Sequence, residues 1–277
     1  MKAWELIGYS RRCLKGKRRE IFLICSLPLG AELLFRALES AIYSLLLYFG
    51  TFKPISLFTG ENAQQLAVAA VFAVLRLAVC PPLWCAAAVR LREFTEGFPG
   101  RTSFQEMLLN SRFIRRSISA AFTGKLFSAA VLAPGLASAY LGVRILSYGG
   151  ESQEIFVAVN ALALSVVSVM MWISLKLSLT AAPWILAAYP EKGGFFAVIG
   201  AIRFMRGRRS LPVKLFLAYI FPAVTVIGLP FVIPEAAAAF SQAVSIFMKE
   251  DEYAGNPVFR RRRSPLRRRK ISGFDNN

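Results

Sequence analysis

Four stretches of this chain, residues 21–50, 66–89, 126–143 and 155–175, are long and apolar enough to cross a bilayer, and nearly all Lys and Arg lie outside them. About 20 apolar residues in a helix span the roughly 30 Å of hydrocarbon. Backbone groups in lipid must be satisfied within the segment, which selects helix. A fifth apolar run, 215–233, is broken by proline. The expected fold is all-α, a polytopic transmembrane helical bundle of five to six spans with interfacial amphipathic helices. Composition agrees: 56% of residues are hydrophobic and mean hydropathy is +0.50, too apolar for a soluble domain.

The net charge is +18. In a soluble chain that would point to nucleic acid. Here the basic residues alternate with the apolar runs, so the expected partners are anionic lipid headgroups, not nucleic acid. Residues 1–20 carry seven Lys and Arg, 51–65 one, 90–116 six, 147–154 none, 190–214 six and 249–277 nine. Cytoplasmic loops collect Lys and Arg. The pattern therefore predicts a multi-pass protein of the cytoplasmic (inner) membrane with both termini cytoplasmic. The first twenty residues are too basic to read as a cleavable signal peptide.

Two cytoplasmic termini require an even number of crossings. The apolar stretch 213–248 holds 36 residues, about 54 Å of helix at 1.5 Å per residue. That is short for two full spans and a turn. The expectation is one span to about Ile233 and a shorter returning helix from Pro234 to Met248. Its alanines at 236–239 suit close packing on a neighbour.

Basic segments precede each hairpin: Lys15-Gly16-Lys17-Arg18-Arg19, then Arg112-Phe113-Ile114-Arg115-Arg116, then Arg203-Phe204-Met205-Arg206-Gly207-Arg208-Arg209. This permits three hairpin repeats, at about 1–89, 101–189 and 195–249, within a membrane domain of 1–249. Segments 104–116 and 195–206 are amphipathic and are expected to lie at the interface, apolar side in lipid. The basic residues expected to face lipid are Arg112, Arg115, Arg116, Arg203, Arg206, Arg208 and Arg209. The tail, 250–277, adds Arg260, Arg261, Arg262, Arg263, Arg267, Arg268, Arg269 and Lys270. It has too little apolar surface to fold and is expected to be a disordered cytoplasmic segment near anionic lipid.

Charges also fall inside the apolar runs or directly at their ends: Arg36, Arg76, Lys125, Arg144 and Lys176. The last three lie toward span ends, where long stems snorkel to the headgroups. Glu32, Arg36 and Glu39 share one helix face by their i, i+4, i+7 spacing. Arg76 lies at similar depth on the next span. These four form the candidate intramembrane polar cluster, either a clasp between two helices or the lining of a path. A charge at mid-bilayer costs about 2.5–3.5 kcal/mol on insertion scales, so each should face a partner.

No catalytic, cofactor or metal site is indicated. Histidine, the commonest metal ligand and general base, is absent from the sequence. Cys13, Cys25, Cys80 and Cys85 form no Cys-x-x-Cys pair and read as small apolar residues.

The C-terminal half carries Pro183-Trp184-Ile185-Leu186-Ala187 with Tyr189-Pro190. Arg203-Phe204-Met205-Arg206-Gly207, Lys214-Leu215-Phe216-Leu217 and Pro234 follow. Together these resemble a bacterial family of uncharacterised integral membrane proteins, the domain-of-unknown-function family numbered nine-seven-five. The likeness covers roughly 176–240. It implies a six-helix cytoplasmic-membrane protein of bacteria and no particular activity. The sequence thus predicts a non-enzymatic membrane protein of unknown activity, an envelope or assembly factor acting through lipid or protein contacts. The alternative is a small solute or ion transporter or channel that uses the Glu/Arg cluster. A membrane-protein partner is compatible with the first reading.

Overall fold

The structure is a computed structural model that describes residues 5, 7–8, 11–12, 15–49, 63–96, 103–148, 152–224 and 229–253. These residues hold α1 (Arg18–Tyr48), α2 (Ala63–Thr95), α3 (Phe104–Leu109), α4 (Ser111–Ser147), α5 (Ser152–Leu179), α6 (Ala182–Ala188), α7 (Gly194–Phe204), α8 (Ser210–Val224) and α9 (Leu229–Tyr253). No strand occurs among them. Four helical segments are long and apolar enough to cross a membrane: Arg18–Tyr48, Ala67–Thr95, Ser111–Ser147 and Gln153–Ala188. The chain is therefore a helical bundle of the membrane-protein type.

The long helices form two hairpins, α1/α2 and α4/α5. The second is the tighter. A stripe of small residues on α4, Ser117, Ala120, Gly124, Ser128, Gly135 and Gly142, is buried. A Cβ on Gly135 would stand 2.5 Å from Ser168 Cβ, and one on Gly142 would stand 3.0 Å from the Ala158 carbonyl. Glycine at these two positions lets the backbones approach, the usual means of packing helices where lipid removes the hydrophobic drive.

The core sits at one end of the hairpins, called the base here. It joins Cys85 of α2, Ala120 of α4, Ile185 and Leu186 of α6, Ala197, Val198, Ala201 and Phe204 of α7, and Val244 and Met248 of α9. A second cluster seats α9 on α1 and α2 through Ala238, Ile21, Cys25 and Leu91. A third seats it on α8 through Ala239, Ala243, Leu211 and Leu215. Toward the tips the spans are bare: Leu33, Val74, Leu136 and Phe156 are all more than half exposed. Those faces present apolar side chains where hydrocarbon surrounds a span.

Polar contacts concentrate at the base. Buried Glu235 of α9 accepts from Arg11 and Arg18, each at 3.2 Å. Arg208 donates both terminal nitrogens to Asp251, at 2.9 and 3.0 Å. Its guanidinium also lies 4.6 Å from the Phe247 ring centre and 5.3 Å from that of Phe204. A bidentate, ring-stacked arginine is a site that lysine could not fill.

The structure departs from the sequence reading in three places. The amphipathic segment 104–116 is two helices, because the Asn110 side chain accepts from the Arg112 and Phe113 N–H groups and starts α4 there. Arg112, Arg115 and Arg116 thus belong to the first turns of a span. The segment 195–206 does not lay its apolar side in lipid. Its small-residue face, Ala197, Val198 and Ala201, is in the protein core, and Phe195 alone among its large apolar groups is strongly exposed. The returning helix does not begin at Pro234, which lies inside α9.

The basic segments that lead into α1 and α8 share a backbone feature. Gly16 has φ 84° and Gly207 has φ 80°, and each precedes a new helix by two or three residues. Left-handed backbone there reverses the chain sharply, which only glycine does without strain. The middle segment has no such glycine, because it is continuous with α4.

Candidate functional site

A cavity of ≈ 580 Å³ lies in the crotch between the two hairpins. The hairpins meet through α2 and α4 near the base, where Cys85 and Ala120 share one buried cluster. The cavity's charged lining consists of Glu32 and Arg36 of α1, Arg76 of α2, Lys125 of α4 and Lys176 of α5. Its remaining walls are mostly small or apolar, with Trp84, Ala121, Gly124, Leu179 and Pro183 among them.

Of the four residues expected to cluster, three line this cavity. The fourth, Glu39, accepts from Arg76 at 2.7 Å, with the two side chains 18% and 26% exposed. Arg76 Nε also donates to the Phe72 carbonyl at 3.4 Å. Arg36 donates to Glu32 at 3.3 Å within α1. Spacing and depth put both glutamates near Arg76, and the direction of helical side chains selects Glu39. Side chains lean toward the N-terminus of their own helix. Arg76, on α2, leans toward the tips; Glu39, on the antiparallel α1, leans toward the base. They converge, whereas Glu32 leans away and meets Arg36 one turn above it.

Lys125 and Lys176 are the site residues that sequence reasoning passed over, having read them as snorkelling. Lys125 stands fourteen residues into α4 from the base and leans back toward it; Lys176 stands three residues from the base end of α5 and leans upward. Both line the cavity. Each is also within electrostatic reach of the other. Among the described residues neither has a carboxylate within ion-pair distance; Lys176 has the Trp172 ring at 5.6 Å. A signal was present in the sequence: neither lysine has an Asp or Glu within four residues on either side, unlike Arg36.

Other basic residues expected to face lipid divide into two groups. Arg112, Arg115, Arg203 and Arg206 are exposed. Arg116 donates to the Pro190 carbonyl, Arg208 is held by Asp251, and Arg209 reaches Ser178 and Ser174 of α5. Those three hold the base together. Arg260, Arg261, Arg262, Arg263, Arg267, Arg268, Arg269 and Lys270 lie outside the described residues. Cys25, Cys80 and Cys85 are buried free thiols, packed as small apolar groups.

Fold and site together define a helical integral membrane protein with a charged cavity between two hairpins. No protein-family model, curated protein or solved structure matches the chain.

Proposed function

We propose that this protein is a non-enzymatic, polytopic component of a bacterial cytoplasmic membrane that binds and passes a small charged solute at the cavity between its hairpins. The observation that carries the reading is the ≈ 580 Å³ cavity lined by Glu32, Arg36, Arg76, Lys125 and Lys176. Intramembrane ionisable residues face a water-filled space or a partner and mark solute paths. A volume of that order is typical of small-molecule sites. The test is water access. In a background with Cys13, Cys25, Cys80 and Cys85 replaced, Ala121→Cys should react with a membrane-impermeant thiosulfonate added from one side. Leu126→Cys, on an exposed apolar face of the same helix, should not. Equal inertness of both would leave the cavity dry and remove the transport reading.

The second reading, an envelope or assembly factor, draws support from the bare apolar spans and from the exposed arginines 112, 115, 203 and 206. Those arginines and the basic tail suit anionic lipid headgroups; no nucleic-acid role is proposed. The resemblance to the family numbered nine-seven-five is compatible with either reading.

Orientation is part of the proposal. The base carries the arginine-rich segments and faces the cytoplasm by charge. Reporters active only outside the cell, fused after Asn277 and within 147–154, should be silent and active respectively. An active C-terminal fusion would mean an odd number of crossings and place the tail outside.

A further inference from the structure

The charges of the cavity do not balance, and the imbalance names a ligand class. Arg36 is matched by Glu32 at 3.3 Å and Arg76 by Glu39 at 2.7 Å. Lys125 and Lys176, on two antiparallel helices, remain outside any ion pair among the described residues and line the same pocket. The two like charges disfavour one another, and Glu32, which lines the same pocket, offsets only part of that at Lys125. Both lysines are exposed, and they line an open-sided pocket with Arg76 and Glu32. The lining carries more positive than negative charge, which favours entry of an anion.

We infer that the cavity is an anion site in which Lys125 and Lys176 neutralise a dianionic group, a phosphate monoester bearing an organic portion. Two uncompensated cations match a phosphomonoester, which carries about −1.5 to −2 at neutral pH, better than a single carboxylate or a phosphodiester. Lysine is a point-charge phosphate binder with three donors. Arg36, 65% exposed and in a single contact with Glu32, has further N–H donors to offer. The cavity of ≈ 580 Å³ is far larger than a bare phosphate ion requires, and Trp84, Leu179 and Pro183 give an apolar wall for the rest of the ligand. The same chemistry is offered by a lipid with a monoester headgroup and by a soluble phosphomonoester. The Arg76–Glu39 pair is outside this role: its charges satisfy each other, and it fastens α1 to α2. This inference rests on the reading of the cavity as water-accessible.

The experiment uses the full-length chain carrying Ala121→Cys, with its native cysteines replaced, in phosphatidylcholine nanodiscs. An anionic and a cationic thiosulfonate are compared. A cleft of one sign concentrates the opposite ion, so the anionic reagent should react faster by about tenfold or more. Lys125→Gln with Lys176→Gln should abolish that preference, and Lys125→Arg with Lys176→Arg should retain it. Protection is then read with an uncharged thiosulfonate, so that surface potential plays no part. Phosphatidic acid in the disc, glycerol phosphate in the buffer, and phosphatidylglycerol as the diester comparison are the probes. Protection by phosphatidic acid alone assigns a lipid, by glycerol phosphate alone a soluble ester, and by both either source. Equal protection by phosphatidylglycerol would overturn the dianion assignment, and so would a charge preference with no protection by any probe. Equal reactivity toward both charged reagents would overturn the anion site while leaving the accessible cavity intact. If no reagent reaches Ala121→Cys, the transport reading falls and takes this inference with it.

Discussion

Arg76→Leu should destabilise the protein by about 3 kcal/mol or more, because it strands Glu39 as an unpaired charge at membrane depth. The pair is the shortest ion contact between the first two spans, 2.7 Å between Arg76 Nη2 and Glu39 Oε2. Arg76→Leu combined with Glu39→Leu should recover most of the loss, since apolar replacement of both partners of a buried pair is often neutral or stabilising. Arg76→Leu combined with Glu32→Leu should not recover it, because Glu32 is engaged by Arg36 in its own helix. The measurement is the unfolding midpoint in mild detergent and the folded fraction in membranes. Rescue by the Glu32 change, with none by the Glu39 change, would show that depth rather than side-chain direction sets the partner. A harmless Arg76→Leu would mean that the two hairpin helices are not fastened there.

Gly194→Val should cost a similar amount, about 3 kcal/mol or more, at or beyond the upper end of what overpacking usually does. Gly194 opens α7 and sits against α4. A Cβ there would lie 2.3 Å from the Ala120 nitrogen, 2.6 Å from the Arg116 carbonyl oxygen and 2.9 Å from the Ala120 Cα. All three neighbours are helical backbone, so no side chain can swing aside. α7 must slide off α4 and take Val198 and Ala201 with it. Gly193→Val, at the adjacent residue whose Cβ would meet nothing within 4 Å, is the control and should be tolerated far better. Equal stability of the two variants would show that α7 does not dock on α4 as described. The Arg116 contact to the Pro190 carbonyl fastens the same junction from the other side.

The spans were legible because length and hydropathy are sufficient evidence for a crossing helix: 21–50 became α1 and 155–175 the middle of α5. The base was not. Hydropathy separates apolar from polar, but in a membrane an apolar face is at home against lipid and against protein alike. Nothing in Phe195-Phe196-Ala197-Val198 says which residues meet protein. The distinguishing feature is size: Ala197, Gly200 and Ala201 share one face of α7, as Ser117, Ala120 and Gly124 share one of α4, and small side chains mark close approach. The same limit applied to the charges. Spacing put Glu32, Arg36 and Glu39 on one face, and depth brought Arg76 near them. The pairing then turned on the lean of each side chain, which is a property of chain direction. For Lys125 and Lys176, distance from the span ends argued for snorkelling. That both line one pocket depends on α4 and α5 packing side by side, a tertiary fact.

The link between Glu235 and the two arginines of the amino-terminal segment closes contacts 224 and 217 residues apart in sequence. Because the chain is synthesised from the amino end, α1 and α2 are complete long before α9 exists. During that interval Arg11 and Arg18 have no Glu235, and the faces of Ile21, Cys25 and Leu91 that receive Ala238 are open. Of the helices among the described residues, the one made last therefore seals the first hairpin to the rest. A late, alanine-rich segment thus closes an opening left at the start. Until α9 arrives, the nascent protein is a pair of membrane hairpins awaiting a keystone.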